Sequence, residues 1–236
     1  MSERSFLCTL FALGVLAIAS AQIDTPPIPP ERDVRDLYRR VAASRFVVVG
    51  TVVESEGVTK RMTPEVTEKA RTDLGAALGG SLYRIRVEDV VCRQSDLAPA
   101  VTGAAEVPQV LGIFVPRTFA TFPDEVLLPQ RRYLLFLVVP REQEAWIKTF
   151  QLDPAQTYYR TEEGYRGAIP LAQPAAGQPA PAEPPVLDKI RRLCQAMKPS
   201  KRADKLAALN KLAKSDDPVL RKEAAEAVSA LEKLPR

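Results

Sequence analysis

Cys92 and Cys194 are the side chains here whose type most readily does chemistry. In an oxidising compartment two thiols can join, whereas in a reducing one they persist as small buried hydrophobes. A separation of about 100 residues along the chain says nothing of separation in space, so a disulfide and two buried thiols both stay open. A third cysteine, Cys8, stands at the start of an apolar N-terminal run rather than after it, which argues against an acylated lipoprotein cysteine. Histidine is absent altogether. That removes Ser-His-Asp and Cys-His nucleophilic sites, the usual zinc sites and haem ligation together. Carboxylate, lysine, tyrosine and serine chemistry remain.

The acidic pairs Glu142 and Glu144, Glu162 and Glu163, and Asp216 and Asp217 lack the spacing of a calcium loop and read as surface groups. Residues 75–81 are glycine-rich but carry no lysine to hold a phosphate. Trp146, Tyr158, Tyr159 and Tyr165 either present a contact surface to a partner or pack across strands. No catalytic, cofactor or metal site emerges, and the expectation is a non-catalytic chain.

The leader sets the compartment. Arg4 is followed by an apolar run from Phe6 to Ile18 and then by Ala19-Ser20-Ala21 before Gln22, the small-x-small pattern of signal peptidase cleavage. The run is shorter than the roughly 20 residues that a spanning helix needs. Residues 1–21 are therefore read as a signal peptide cut between Ala21 and Gln22. The expected location is extracytoplasmic, periplasmic or secreted, with no stable membrane insertion after cleavage.

Downstream, residues 22–30 form a proline-rich spacer. Residues 33–44 place Val34, Leu37, Tyr38 and Val41 at helical spacing. Residues 46–53 are rich in valine and interrupted by Gly50, which in a strand marks a bulge or bend. Residues 57–80 read as a polar insertion with a helix over 64–74 and a flexible exit at Gly79 and Gly80. Strands are expected over 82–92, 109–115, 133–139 and 146–152, the one over 133–139 apolar on both faces and so central. Residues 157–166 suggest a hairpin turning at Gly164. Residues 172–185 are a Pro/Ala-rich linker, and 186–236 are helical by pattern, with Asp217 and Pro218 as cap and first-turn pair of the last helix. The net charge is +4, and basic residues predominate in the helical segment. They alternate with acids and carry no interleaved aromatics, so a solvated helix face is expected rather than a nucleic-acid site.

Arg45 to Val53, Tyr83 to Val90 and Arg132 to Leu137 together resemble the netrin-like, tissue-inhibitor-of-metalloproteinase-like version of the OB barrel. The resemblance spans residues 33–152 and implies a small β-barrel over 31–171. The family's inhibitors act through a processed amino-terminal cysteine. Here the expected new terminus is Gln22, so that activity transfers to no residue. Residues 202–234 resemble one HEAT-like repeat: Leu206, Leu209 and Leu212 mark a first helix, and Leu220, Ala224, Ala227, Val228 and Leu231 a second. The expected fold class is mainly β with a helical tail.

The expected function is an exported, non-catalytic module that binds another extracytoplasmic protein or an envelope component. The alternatives are a protease-inhibitor-like netrin-type domain, and a hydrolase using carboxylate or serine chemistry without histidine.

Overall fold

The structure is a computed structural model that describes residues 36–59, 79–97, 106–117, 127–162, 167–172 and 184–233. Six strands are described: β1 (Phe46–Thr59), β2 (Gly79–Arg93), β3 (Val110–Arg117), β4 (Arg132–Val138), β5 (Tyr158–Thr161) and β6 (Ala168–Pro170). Six helices accompany them: α1 (Leu37–Ala43), α2 (Gln94–Leu97), α3 (Gln143–Phe150), α4 (Pro185–Met197), α5 (Arg202–Leu212) and α6 (Pro218–Lys233). Helix is thus a full partner of the sheet, more than the expected tail on a mainly β protein.

The strands form one mixed sheet. β1 pairs antiparallel with β2 and with β4, β2 antiparallel with β3, β3 parallel with β5, and β5 antiparallel with β4. The pairing therefore runs from β1 through β2, β3, β5 and β4 and returns to β1. β6 adds to β4 through Tyr133, Leu134 and Leu135.

This arrangement explains why β4 and the first half of β1, from Phe46 to Val52, are packed on both faces. Phe46, Val48 and Val52 of β1, with Tyr133, Leu135 and Leu137 of β4, join Ile85, Leu111, Ile113 and Tyr159 in one buried cluster. The alternate residues Val47, Val49, Leu134 and Phe136 join a second cluster with the helices. Strand side chains alternate between faces, so a strand with packing on each side must be apolar throughout.

The helical layer is amphipathic in register with that second face. α4 buries Leu187, Ile190, Leu193, Cys194 and Met197, a period of three to four residues. α6 buries Leu220, Glu223, Ala224 and Ala227, and the two alanines let a neighbouring helix approach closely. Each large apolar side chain so buried contributes about 1.5–3 kcal/mol. Helices and sheet share this cluster, within a unit running from Val34 to Arg236. Of the linker expected over 172–185, residues 173–183 lie outside the described residues, and Pro185 already begins α4.

Several expectations need correction. The stretch expected as a strand over 146–152 is helical: Trp146 and Phe150 are four residues apart, which places both on one helix face against Phe114. Gln151, in the left-handed conformation, ends this helix. Gly79 and Gly80 are not a flexible exit but the start of β2, paired with Thr59 and Val58 on one side and Arg117 and Pro116 on the other. A Cβ at Gly80 would lie 2.5 Å from the Phe114 ring, so only glycine fits. Of the hairpin expected over 157–166, Tyr158–Thr161 form β5, which pairs with β3 and β4, and the turn and return at 163–166 lie outside the described residues. Gly164 and Tyr165, like the helix expected over 64–74, fall outside the described residues. Gly50 does mark an irregularity, a register shift between Val49 and Gly50 against β2.

Candidate binding cleft

Five helices meet around a cleft of about 170 Å³ lined by Tyr38, Ala42, Gln94, Leu97, Met197, Lys205 and Leu231. Its side chains come from α1, α2, α4, α5 and α6 in turn. Tyr38 and Ala42 are one helical turn apart on α1, which puts them on one face. Leu97, Met197 and Leu231 give apolar walls, and the Tyr38 hydroxyl, the Gln94 amide and the Lys205 ammonium supply polar groups.

Each wall is fixed by a specific polar contact. The Tyr38 N–H donates to Glu223 Oε2 at 2.8 Å, an acceptor 185 residues away that holds the first turn of α1 against α6. Glu223 is buried and lies in phase with Leu220, Ala224 and Ala227. Burial pushes its carboxyl above the ordinary 4.5, while the backbone N–H bonds from Tyr38 and Asp36 pull the other way. Arg202 donates to the carbonyls of Leu231 at 2.6 Å and Glu232 at 3.2 Å, closing the end of α6 beside the cleft. Lys205 Nζ donates to the Leu97 carbonyl at 2.8 Å at the end of α2. Asp217 opens α6 by accepting from the N–H groups of Val219 and Leu220 at 2.9 and 3.0 Å, the cap that the sequence predicts.

Desolvation lowers the pKa of Lys205 from its ordinary 10.5 and raises that of Tyr38 from 10.0. The phenol is neutral at pH 7, a hydrogen-bond donor and acceptor, and the lysine is a partly desolvated donor. At this size the recess falls below the roughly 300–1,000 Å³ of small-molecule sites. Tyrosine and methionine are residue types enriched at protein interfaces.

The residues singled out in the sequence lie elsewhere. Trp146 and Tyr158 are buried in a cluster with Phe114 and Phe150. The Tyr158 hydroxyl accepts from the Asp153 N–H at 3.0 Å, and its own N–H donates to Gln143 Oε1 at 3.1 Å. Tyr159 is buried in a different cluster, its ring 5.7 Å from that of Phe46. These three aromatic residues are therefore interior packing, not an exposed contact surface. Tyr165, Ala21 and Gln22 lie outside the described residues. Cys92 and Cys194, in contrast, are brought together as free thiols in one buried cluster, near enough for each to shift the other's titration.

Among the described residues no three His, Cys, Asp or Glu side chains converge as metal ligands, and no helix is long and apolar enough to cross a membrane. Tyr38, Lys205 and Glu223 were not legible as a site. The one signal was Glu223 itself, a charge set in the apolar stripe of α6. No family model matches the chain, and no curated protein matches it.

Proposed function

We propose that the chain is an exported, non-catalytic binding module, an OB-like barrel whose helical layer, HEAT-like in its last two helices, engages another extracytoplasmic protein or an envelope component through the five-helix cleft. Export rests on the leader at residues 1–21. The OB-like reading is supported by the circuit of strand pairings and by the parallel pairing of β3 with β5. The observation that carries the binding role is the cleft: apolar walls, three polar groups, and separate hydrogen bonds that hold Tyr38, Leu97 and Leu231 in place before any partner arrives. A site ordered in advance loses less entropy on binding.

The test fills the recess. Ala42 is exposed and lines the cleft, so Ala42→Trp occupies it without entering the core. Wild type and variant are compared for capture of a partner from an envelope extract, with circular dichroism to confirm equal folding. Loss of a central interface contact of about 1.4 kcal/mol or more lowers affinity about tenfold or more. Unchanged capture by a folded Ala42→Trp protein would exclude the cleft as the docking site.

A further inference from the structure

Cys92 stands near the end of β2 and Cys194 near the end of α4, both in the cluster shared by sheet and helices. They are 2% and 1% exposed. Both are free thiols, each near enough to shift the other's titration, and Cys92 Sγ approaches the Arg93 carbonyl at 3.7 Å. Three residues before each cysteine, Asp89 and Arg191 pair at 2.6 Å, so an independent contact sets α4 in the same register on β2. The environment is asymmetric. Interaction with the Cys194 thiol lowers the Cys92 thiol from its ordinary 9.0, with Lys198 helping and both burial and Asp96 opposing. The same interaction and burial raise Cys194. Nothing among the described residues makes the pair part of a metal site.

We propose that Cys92 and Cys194 are a disulfide-forming pair that staples α4 to β2 when the chain folds in the presence of a disulfide oxidant such as oxidised glutathione. The Sγ–Sγ bond forms as the oxidant's own S–S bond breaks. The two thiols give up two electrons, and their two protons pass to the two thiols released from the oxidant. Because both sulfurs are buried in the finished fold, oxidation precedes the final docking of α4, and the bond is afterwards shielded from reductant. The staple joins the sheet to the helical layer covalently, so a peptide cut between residues 93 and 193 leaves two pieces held by one reducible bond.

The test refolds the full chain in glutathione redox buffer, blocks free thiols with N-ethylmaleimide in denaturant, and maps a non-reduced digest by mass. The expected product is a Cys92 peptide linked to a Cys194 peptide, lighter than the separate peptides by two hydrogens. Closing a loop of about 100 residues also predicts a melting temperature higher by up to about 10–19 °C than that of the reduced protein. A Cys92→Ser/Cys194→Ser double variant should be insensitive to reductant. If both peptides carry maleimide, or if either cysteine is linked to Cys8, the proposal is wrong. Should the double variant fail to fold, the wild-type digest alone still decides.

Discussion

Gly50 stands in the middle of β1, opposite Val87 of β2 and Tyr133 of β4. A Cβ built there lies 2.6 Å from Ile85 Cγ2 and 2.8 Å from the Arg86 carbonyl oxygen. Ile85 is fully buried, and Arg86 belongs to a strand paired on both sides, so neither atom is free to swing away. Overpacking of this kind costs about 1–3 kcal/mol, against the 0.4–1 kcal/mol or so gained when alanine stiffens the unfolded chain. Gly50→Ala should therefore destabilise. Trp146, the only tryptophan, is buried against Phe114 and reports unfolding by fluorescence. With a urea slope of about 2 kcal/mol/M, the midpoint should fall by up to roughly 1.3 M. Gly57, on the same strand with nothing within 4 Å of a built Cβ, is the control, and Gly57→Ala should leave the midpoint level or slightly raised. Ile85→Ala should cost less in the Gly50→Ala background than alone, because it removes one of the two clashes. A Gly50→Ala protein as stable as wild type, with no coupling to Ile85, would refute this account of the β1–β2 bulge.

Three further outcomes are expected. Asp217→Ala removes both cap hydrogen bonds of α6 and should cost about 0.5–2 kcal/mol in a urea titration at pH 7. Two carboxylates on that helix should give opposite pH dependence. Glu223 titrates above 4.5 in the folded state, so its contribution is full below pH 4.5 and is lost as pH rises through the folded value, a decline that Glu223→Gln should abolish in melting curves. For Asp217, burial raises the carboxyl, but the Leu220 N–H and Lys189 outweigh it and leave it below 3.8; its contribution is present above pH 3.8 and is lost as pH falls through the folded value. A chain ending at residue 183 strips the cover from Val47, Val49, Leu134 and Phe136 and should bind a hydrophobic dye and aggregate; a soluble, cooperatively melting product would contradict the shared core.

Local pattern made much of the fold legible. The valines of β1 announced a core strand, the doubly apolar β4 a central one, and Asp217 with Pro218 the start of α6. Where reading failed, the cause was tertiary. Trp146 and Phe150 fit an alternating strand or one helix face over so short a span, and only Phe114, on a distant strand, decides between them. Gly79 and Gly80 looked like loop residues because glycine is usually free there; in the fold both begin β2, and Gly80 is glycine because Phe114 and Val115 come too close. The cleft was invisible because its residues come from five elements and none carries a motif. Cys92 and Cys194 were identified by type, but their meeting depends on how α4 docks on β2, which no local spacing encodes.

Partner docking at the cleft is open to direct measurement in cells, by a photo-crosslinking residue placed at position 42 of the full chain, with a second version carrying it at the exposed Glu54 of β1. Docking at the cleft should give one discrete adduct from position 42, none from position 54, and loss of that adduct when Lys205→Glu reverses the charge at the cleft. Equal adducts from both positions, or none from position 42 while a partner is still captured, would contradict it.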